Sequence, residues 1–350
     1  MKEERPEMFA PYDLSVSEYG EYIHDINEQN IAYLRRLFEG APLAPTQCLI
    51  VIGSDGKLER HAQSKTDVVL VQRKNAANNN VDDITAWFEG INPGETFKSQ
   101  FDSQLSDSLE VVTLDDDSIR ASYVYPELFT QPRSIYPDRG LNSIHIAGNT
   151  EVHLDLRKQV LLEMTAKGKS FRSIREEMKK QLRYYERAAK TGAYREVRVF
   201  GIELGGGENR CFQYYNEDPN SYTVGFKVPF LRRMQRFLDI ATVVAIKEEM
   251  LGVDDAAKNL PTSTIQRLEY FKNIGLLQDQ GAVEDVEDSY LWFLQRYHHV
   301  QELYKQLRIP IALSFDLDRY RMFRDTIGEF TKHAGYDRKT NFLTKRSVLS

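Results

Sequence analysis

Residues 49–72 read LIVIGSDGKLERHAQSKTDVVLVQ. A β-branched apolar run stops at Gly53-Ser54, a polar crossing follows, and a second apolar run opens on Thr66-Asp67. Short apolar runs bounded by glycine and polar residues read as buried strands. A glycine directly after such a strand lets the backbone approach a phosphate closely, with N–H groups and the Ser54 hydroxyl as donors. Lys57 adds a charge for a triphosphate. Asp67, at the start of the second strand, can hold Mg²⁺ through a carboxylate oxygen. A Gly-Ser pair alone is most often only a hairpin with a polar turn.

Outward from this stretch the elements fall in a simple order. Residues 14–40 carry Ile23, Ile26, Ile31, Leu34, Leu37 and Phe38 at helical spacing. Gly40, Pro42 and Pro45 end that helix. TQCLIVIGS and TDVVLVQ are strands, a helix begins over Asp82–Glu89, and SLEVVTL at 108–114 is a third strand before the acidic turn Asp115–Asp117. Residues 118–150 are broken by prolines. From Glu151 the pattern is helical to about Lys190, and again through FLRRMQRFLDIATVVAIKEEML, STIQRLEYFKNIGLL, VEDSYLWFLQRYHHVQELYKQL and DLDRYRMFRDTIGEFTKH. The predicted fold class is α+β, a small mixed sheet of about four or five strands within residues 45–150 followed by a mostly helical bundle domain. The expected domains are an N-terminal helix at 1–44, the sheet domain at 45–150, a helical domain at 151–334 and a basic polar tail at 335–350.

Composition narrows the function. A chain of 350 residues suits two domains, since single cores rarely grow beyond about 250–300 residues. A formal charge of −6 argues against a broad nucleic-acid-binding face. Two cysteines, Cys48 and Cys211, make neither a disulfide framework nor a zinc site, which fits a reducing compartment. The start MKEERPEMF lacks the apolar core of a signal peptide, and no apolar run nears the roughly 20 residues of a membrane span. The expected location is cytoplasmic with no membrane partner, and a chain exported by a specialised secretion system would read the same. Oligomeric state is not legible.

The string Gly53-Ser54-x-Gly56-Lys57-x-Glu59, followed by Thr66-Asp67 and an apolar strand, resembles the polymerase-β-like nucleotidyltransferases. Within them it is most similar to the protein-PII uridylyltransferase and glutamine synthetase adenylyltransferase group. LNSIHIAGNTEVHLDLRKQV resembles that group's glycine turn before a helix, KKQLRYYERAAKTGAYRE its basic helix, and the stretch from STIQRLEYFKNIGLL to ELYKQL its helical region. The likeness runs over roughly residues 45–305. It implies a nucleotidyltransferase-like domain at 45–150 that binds a nucleoside triphosphate with Mg²⁺ in the cleft beside the helical domain. The reaction implied is transfer of a nucleoside monophosphate to a hydroxyl of an acceptor protein or small molecule.

By this resemblance Gly53, Ser54 and Lys57 are nucleotide-binding, Asp67 is the metal ligand, and Asp67 with Glu59 form the catalytic set, Glu59 bracing the turn or assisting the metal. Two-metal chemistry needs carboxylates at i and i+2 of one strand, because alternation puts both on one face. Here those positions are Asp67 and Val69. A third carboxylate would come from a later strand, Glu110 or Asp115. FKVPFLRRMQRFLDI keeps Lys227 but has Phe230 where the group has glycine.

Three readings follow: a nucleotidyltransferase, a pseudoenzyme that senses a nucleotide or docks a protein, and an interaction protein whose turn binds nothing. The remaining signals are weaker. His298-His299 and Trp292 read as packing, because adjacent histidines face different sides of a helix. RRMQR at 232–236 reads as a solvated helix face, Gly205–Gly207 as a loop, and Cys48 as a small buried hydrophobe.

Overall fold

The computed structural model of the chain describes residues 14–61, 66–73, 80–91, 105, 109–114, 119–122, 140–166, 212–213, 231–277, 279–307, 312–313, 319 and 322–327. Helix α1 (Val16–Leu37) opens with a reciprocal cap. Ser15 Oγ accepts from the Glu18 N–H at 3.3 Å, and Glu18 Oε2 accepts from the Ser15 N–H at 2.9 Å. Two donors that the first turn cannot use are thereby satisfied. The buried stripe of α1 is Tyr19, Ile23, Asn27, Asn30, Ile31 and Leu34, at helical spacing, and the buried Phe38 just past the helix end continues it. Asparagines thus occupy two core positions, while Ile26 and Leu37, core by sequence pattern, are half-buried.

Strand β1 (Gln47–Ile52) is buried along its whole length. It leads into a single helical turn, α2 (Gly53–Gly56), and then come β2 (Asp67–Arg73) and helix α3 (Val81–Ile91). Strands β3 (Glu110–Leu114), β4 (Ile119–Ser122) and β5 (Ile144–Gly148) complete a five-stranded sheet of order β4-β3-β2-β1-β5. Only β2 and β3 run parallel; the other neighbours are antiparallel. The sheet is mixed, and all its strands lie between residues 47 and 148.

The registers assign the two faces. Leu49 pairs with Leu70 and Val51 with Val68, and these four pack with Ile31 and Leu34 of α1, Phe38 just past its end, and Ile84 and Phe88 of α3. Each such side chain taken fully out of water contributes about 1.5–3 kcal/mol. Cys48, Ile50, Val69 and Val71 face the other way. That face is covered by helix α4 (Thr150–Thr165), through its buried Val152, Leu156 and Val160. Cys48 is completely buried, which pushes its thiol up to about 12.

Beyond α4 the described elements are α5 (Arg232–Lys247), α6 (Val253–Asn259), α7 (Thr264–Asn273) and α8 (Gln280–Leu307), with one short strand pair, β6 (Phe212–Gln213) and β7 (Ala312–Leu313). The architecture is α+β. Two compact units form from non-contiguous chain: residues 1–9, 21–166 and 251–267 make the first, and 10–20, 167–250 and 268–350 the second. Helix α4, placed by sequence pattern with the helical domain, belongs to the sheet unit because it covers the sheet's second face. The second unit has its own core, with Phe237, Val244, Phe271, Tyr290 and Phe293 buried and Phe293 edge-on to Phe323 at 5.4 Å. No helix among the described residues is long and apolar enough to cross a membrane.

Candidate functional site around the Gly-Ser turn

Four chain segments meet at one end of the sheet. β1 ends there at Ile52, β2 and β3 begin there, and so does β5. The turn Gly53–Gly56 sits on this end. Gly53 has φ +69°, a conformation that side chains with a Cβ rarely adopt. A Cβ at Gly53 would lie 3.3 Å from Asp67 Oδ2, so the Asp67 carboxylate rests directly against the turn. Gly56 is required for a different reason, since a Cβ there would run into the Asn142 carbonyl oxygen. Ser54 and Gly53 are half-buried and Asp67 is exposed. Gly53, Ser54 and the Asp67 carboxylate thus lie together at a partly exposed end of the sheet.

The rest of the motif is turned inward. Lys57 pairs with Glu59 at 3.3 Å, and both are buried. The Glu59 backbone braces the turn, its N–H donating to Ser54 O at 2.9 Å. Between them Leu58 holds φ +57°, an uncommon conformation for a residue with a branched side chain. It is stabilised there by burial and by its N–H donating to Asp55 O at 3.1 Å.

Sequence reading missed the network beneath the turn. Asp55 and Arg60 are both fully buried, and one Arg60 nitrogen donates to each Asp55 oxygen at 3.1 Å. Arg60 also donates to Thr66 Oγ1. From α1, Asn30 donates to Asp55 at 2.8 Å, and Asn27 accepts from the Arg60 N–H at 2.9 Å. A buried charge pair persists only when its remaining hydrogen-bonding capacity is met. Asn30 and Thr66 meet part of it, and Asn30 on Asp55 with Asn27 on the Arg60 backbone ties the turn to α1. The signal was available: two asparagines three residues apart on an otherwise apolar helix stripe, and opposite charges flanking the turn.

Of the carboxylates expected for metal binding, Asp67 and Glu110 share a face. Val69 is the register partner of Glu110 on the parallel strand, and alternation puts Asp67 on the same side as Val69. Strand spacing and rise place the Asp67 and Glu110 Cα atoms about 8 Å apart. Val69 itself is buried. No group of three or more His, Cys, Asp or Glu side chains with metal-binding geometry occurs among the described residues. Asp115, Lys227 and Phe230 lie outside the described residues. One acid at the turn and a second across the strands fit a single Mg²⁺ that keeps several waters and shares triphosphate oxygens. They do not supply the bridging set that two ions need.

No family model and no curated protein matches this chain. The nucleotidyltransferase resemblance therefore rests on the residues quoted above alone.

The other candidates are accounted for locally. His298 is buried with its Nδ1 paired to the Tyr19 hydroxyl. His299 is half-buried and pushed down to about 4, by burial first and by Arg296 second. Trp292 lies under two guanidinium groups, Arg296 at 5.1 Å and Arg319 at 5.5 Å from its ring centre. Gln235 of the RRMQR stretch is buried, not solvated. A concavity of about 540 Å³ in the first unit, between Arg35, Arg36 and Glu39 of the α1 end and Ile146 and Gly148, contains none of the predicted site residues.

Proposed function

We propose that this chain is a nucleotidyltransferase-like protein that binds a magnesium nucleoside triphosphate at the Gly53-Ser54 turn, with Asp67 as the metal ligand. The observation that carries the reading is the close fit of the Asp67 carboxylate against a left-handed Gly53 at the mouth of a buried strand. The turn supplies backbone N–H groups and the Ser54 hydroxyl to the phosphates. Mg²⁺, when bound, offsets triphosphate charge and polarises a phosphoryl oxygen. Lys57 contributes by exchanging its Glu59 partner for a phosphate oxygen. Glu59 is chiefly a brace for the turn.

Val69 sets the level of transfer. An acceptor hydroxyl of a protein or small molecule is activated poorly when the second carboxylate of the strand is missing, so transfer is slow and the chain is close to a nucleotide-sensing pseudoenzyme. Glu110 favours residual activity, because it faces the same side as Asp67 one strand away. A cytoplasmic location, where such triphosphates are abundant, fits this reading.

Calorimetric titration with Mg–ATP and Mg–UTP tests it. Binding should weaken at least tenfold in Asp67→Ala, and transfer of labelled nucleotide should be slow and lost in Glu110→Gln. Efficient transfer that survives Glu110→Gln would refute the role given to that residue. No triphosphate binding by the native chain or by Val69→Asp would remove the nucleotide site.

A further inference from the structure

The hollow of about 540 Å³ in the first unit is built from elements that the Gly-Ser turn does not use. Its floor is Phe38 and Ile146, both buried. One wall is the loop after α1, where Ala41 and Leu43 are half-buried. That loop is pinned along its length. The Leu43 N–H donates to Ala41 O at 2.8 Å, Asn80 donates to Pro42 O at 2.8 Å, and the Ala44 N–H donates to Gln47 Oε1 at 2.9 Å. Leu43 also closes down on Gly148, where a Cβ would lie 2.8 Å from its Cδ1. The hollow is therefore preformed, and its volume falls within the roughly 300–1,000 Å³ of small-molecule sites.

β5 is the edge strand beside it, and edge strands can take up a further strand. Side chains already meet two of its carbonyls. Arg35 Nε donates to His145 O at 3.3 Å, and His145 Nε2 donates to Gly148 O at 3.1 Å. A small molecule suits this place better than an added peptide strand. The rim carries three charged side chains, Arg35, Arg36 and Glu39. Arg36 has a further contact of its own. Arg35 uses only its Nε, so its two Nη nitrogens meet no partner among the described residues. The Glu39 carboxylate has none there either, and it does not pair with Arg35. Unpaired charges are common on a surface, where water satisfies them. These two differ in that one of each sign borders the same apolar hollow. A zwitterion with an apolar side chain answers all three features. Its carboxylate meets the guanidinium fork, its ammonium meets Glu39, and its side chain lies over Phe38, Leu43 and Ile146.

We propose that this hollow binds a free α-amino acid with a large apolar side chain. The site is separate from the Gly-Ser turn and does not rest on nucleotide binding there.

Calorimetric titration of the full chain with L-phenylalanine tests it, beside 3-phenylpropanoate, which lacks the amine, and phenethylamine, which lacks the carboxylate. L-Phenylalanine should bind in one saturable step. Arg35→Gln and Glu39→Gln should each weaken it about tenfold, the scale of one charge-assisted hydrogen bond. 3-Phenylpropanoate should respond to Arg35→Gln alone, and phenethylamine to Glu39→Gln alone. Both positions are exposed, so both variants should melt as the native chain does. Ala41→Phe, which fills the hollow, should abolish binding. Should Ala41→Phe fail to fold, methyl NMR of the native chain decides, with L-phenylalanine shifting the Leu43 and Ile146 signals. No binding by the native chain, native affinity in both charge variants, or Leu43 and Ile146 signals that stay in place overturns the site. Asp67→Ala should bind L-phenylalanine as the native chain does. Loss of binding there would assign the amino acid to the turn and likewise overturn the hollow.

Discussion

Asp55 and Arg60 show how a site motif can spend its charges on structure. Both are wholly buried in one network with Asn27, Asn30 and Thr66. Removing one partner strands the other as a desolvated charge, which costs about 3–5 kcal/mol, whereas replacing both with apolar residues of similar size is near neutral. Arg60→Met should therefore destabilise the chain by several kcal/mol in urea unfolding, and Asp55→Leu with Arg60→Met should recover most of it. Equal losses in the single and double variants would show that the network, not the pair, carries the cost. Val69 is the counterpart case. In Val69→Asp the new carboxylate meets Glu110 across the strand, and like charges at that spacing are destabilising. The variant should melt lower than native in chelator and recover in millimolar Mg²⁺, with no such recovery for Val69→Asn. Absence of Mg²⁺ rescue would mean that Asp67, Glu110 and position 69 do not converge on one ion.

At the scale of elements, helix α4 repeats the lesson with a cap. Asn149 Oδ1 accepts from the Glu151 N–H at 3.0 Å, and its amide donates to Pro45 O at 2.6 Å. One side chain thus starts α4 and ties it to the entry of β1. Asn149→Ala should cost about 1–2 kcal/mol, and Asn149→Asp should cost less, because the cap survives and only the tie to Pro45 is lost. The same element marks the limit of sequence reading. β1, β2 and β3 were legible because their apolar runs are short, β-branched and bounded by polar turns. β5 was not, since five residues with His145 between Ile144 and Ile146, ending in Gly148, carry too little pattern to separate from a loop. α4 was legible as a helix, but its partner was not, because an apolar stripe does not say whether a sheet or another helix covers it. At the site, sequence pattern gave Gly53, Ser54 and Asp67 as neighbours. It could not show that Lys57 and Glu59 turn toward each other, since that depends on Leu58 taking a left-handed conformation.

For the whole molecule, the first unit's response to acid can be followed separately, because the two tryptophans fall one in each unit. Trp87 lies in the first unit, 5.8 Å from Phe38, and Trp292 in the second. In the unfolded chain His153 takes a proton below its ordinary 6.5, but the folded chain resists until about 3. Between those values the unfolded state holds more protons, so stability contributed by His153 is full above pH 6.5 and is lost as pH falls toward 3. The slope of one such group is at most about 1.4 kcal/mol per pH unit. His145, lowered mainly by burial, acts in the same direction within the same unit. In a Trp292→Phe background, urea unfolding followed by Trp87 should therefore weaken steadily from pH 6.5 to 4.5. His153→Gln should flatten that acid limb, since a glutamine amide can keep a hydrogen bond to Ser143 and has no proton to gain. An acid limb of unchanged steepness in His153→Gln would mean that carboxylates, not the buried imidazole, govern the first unit's loss of stability.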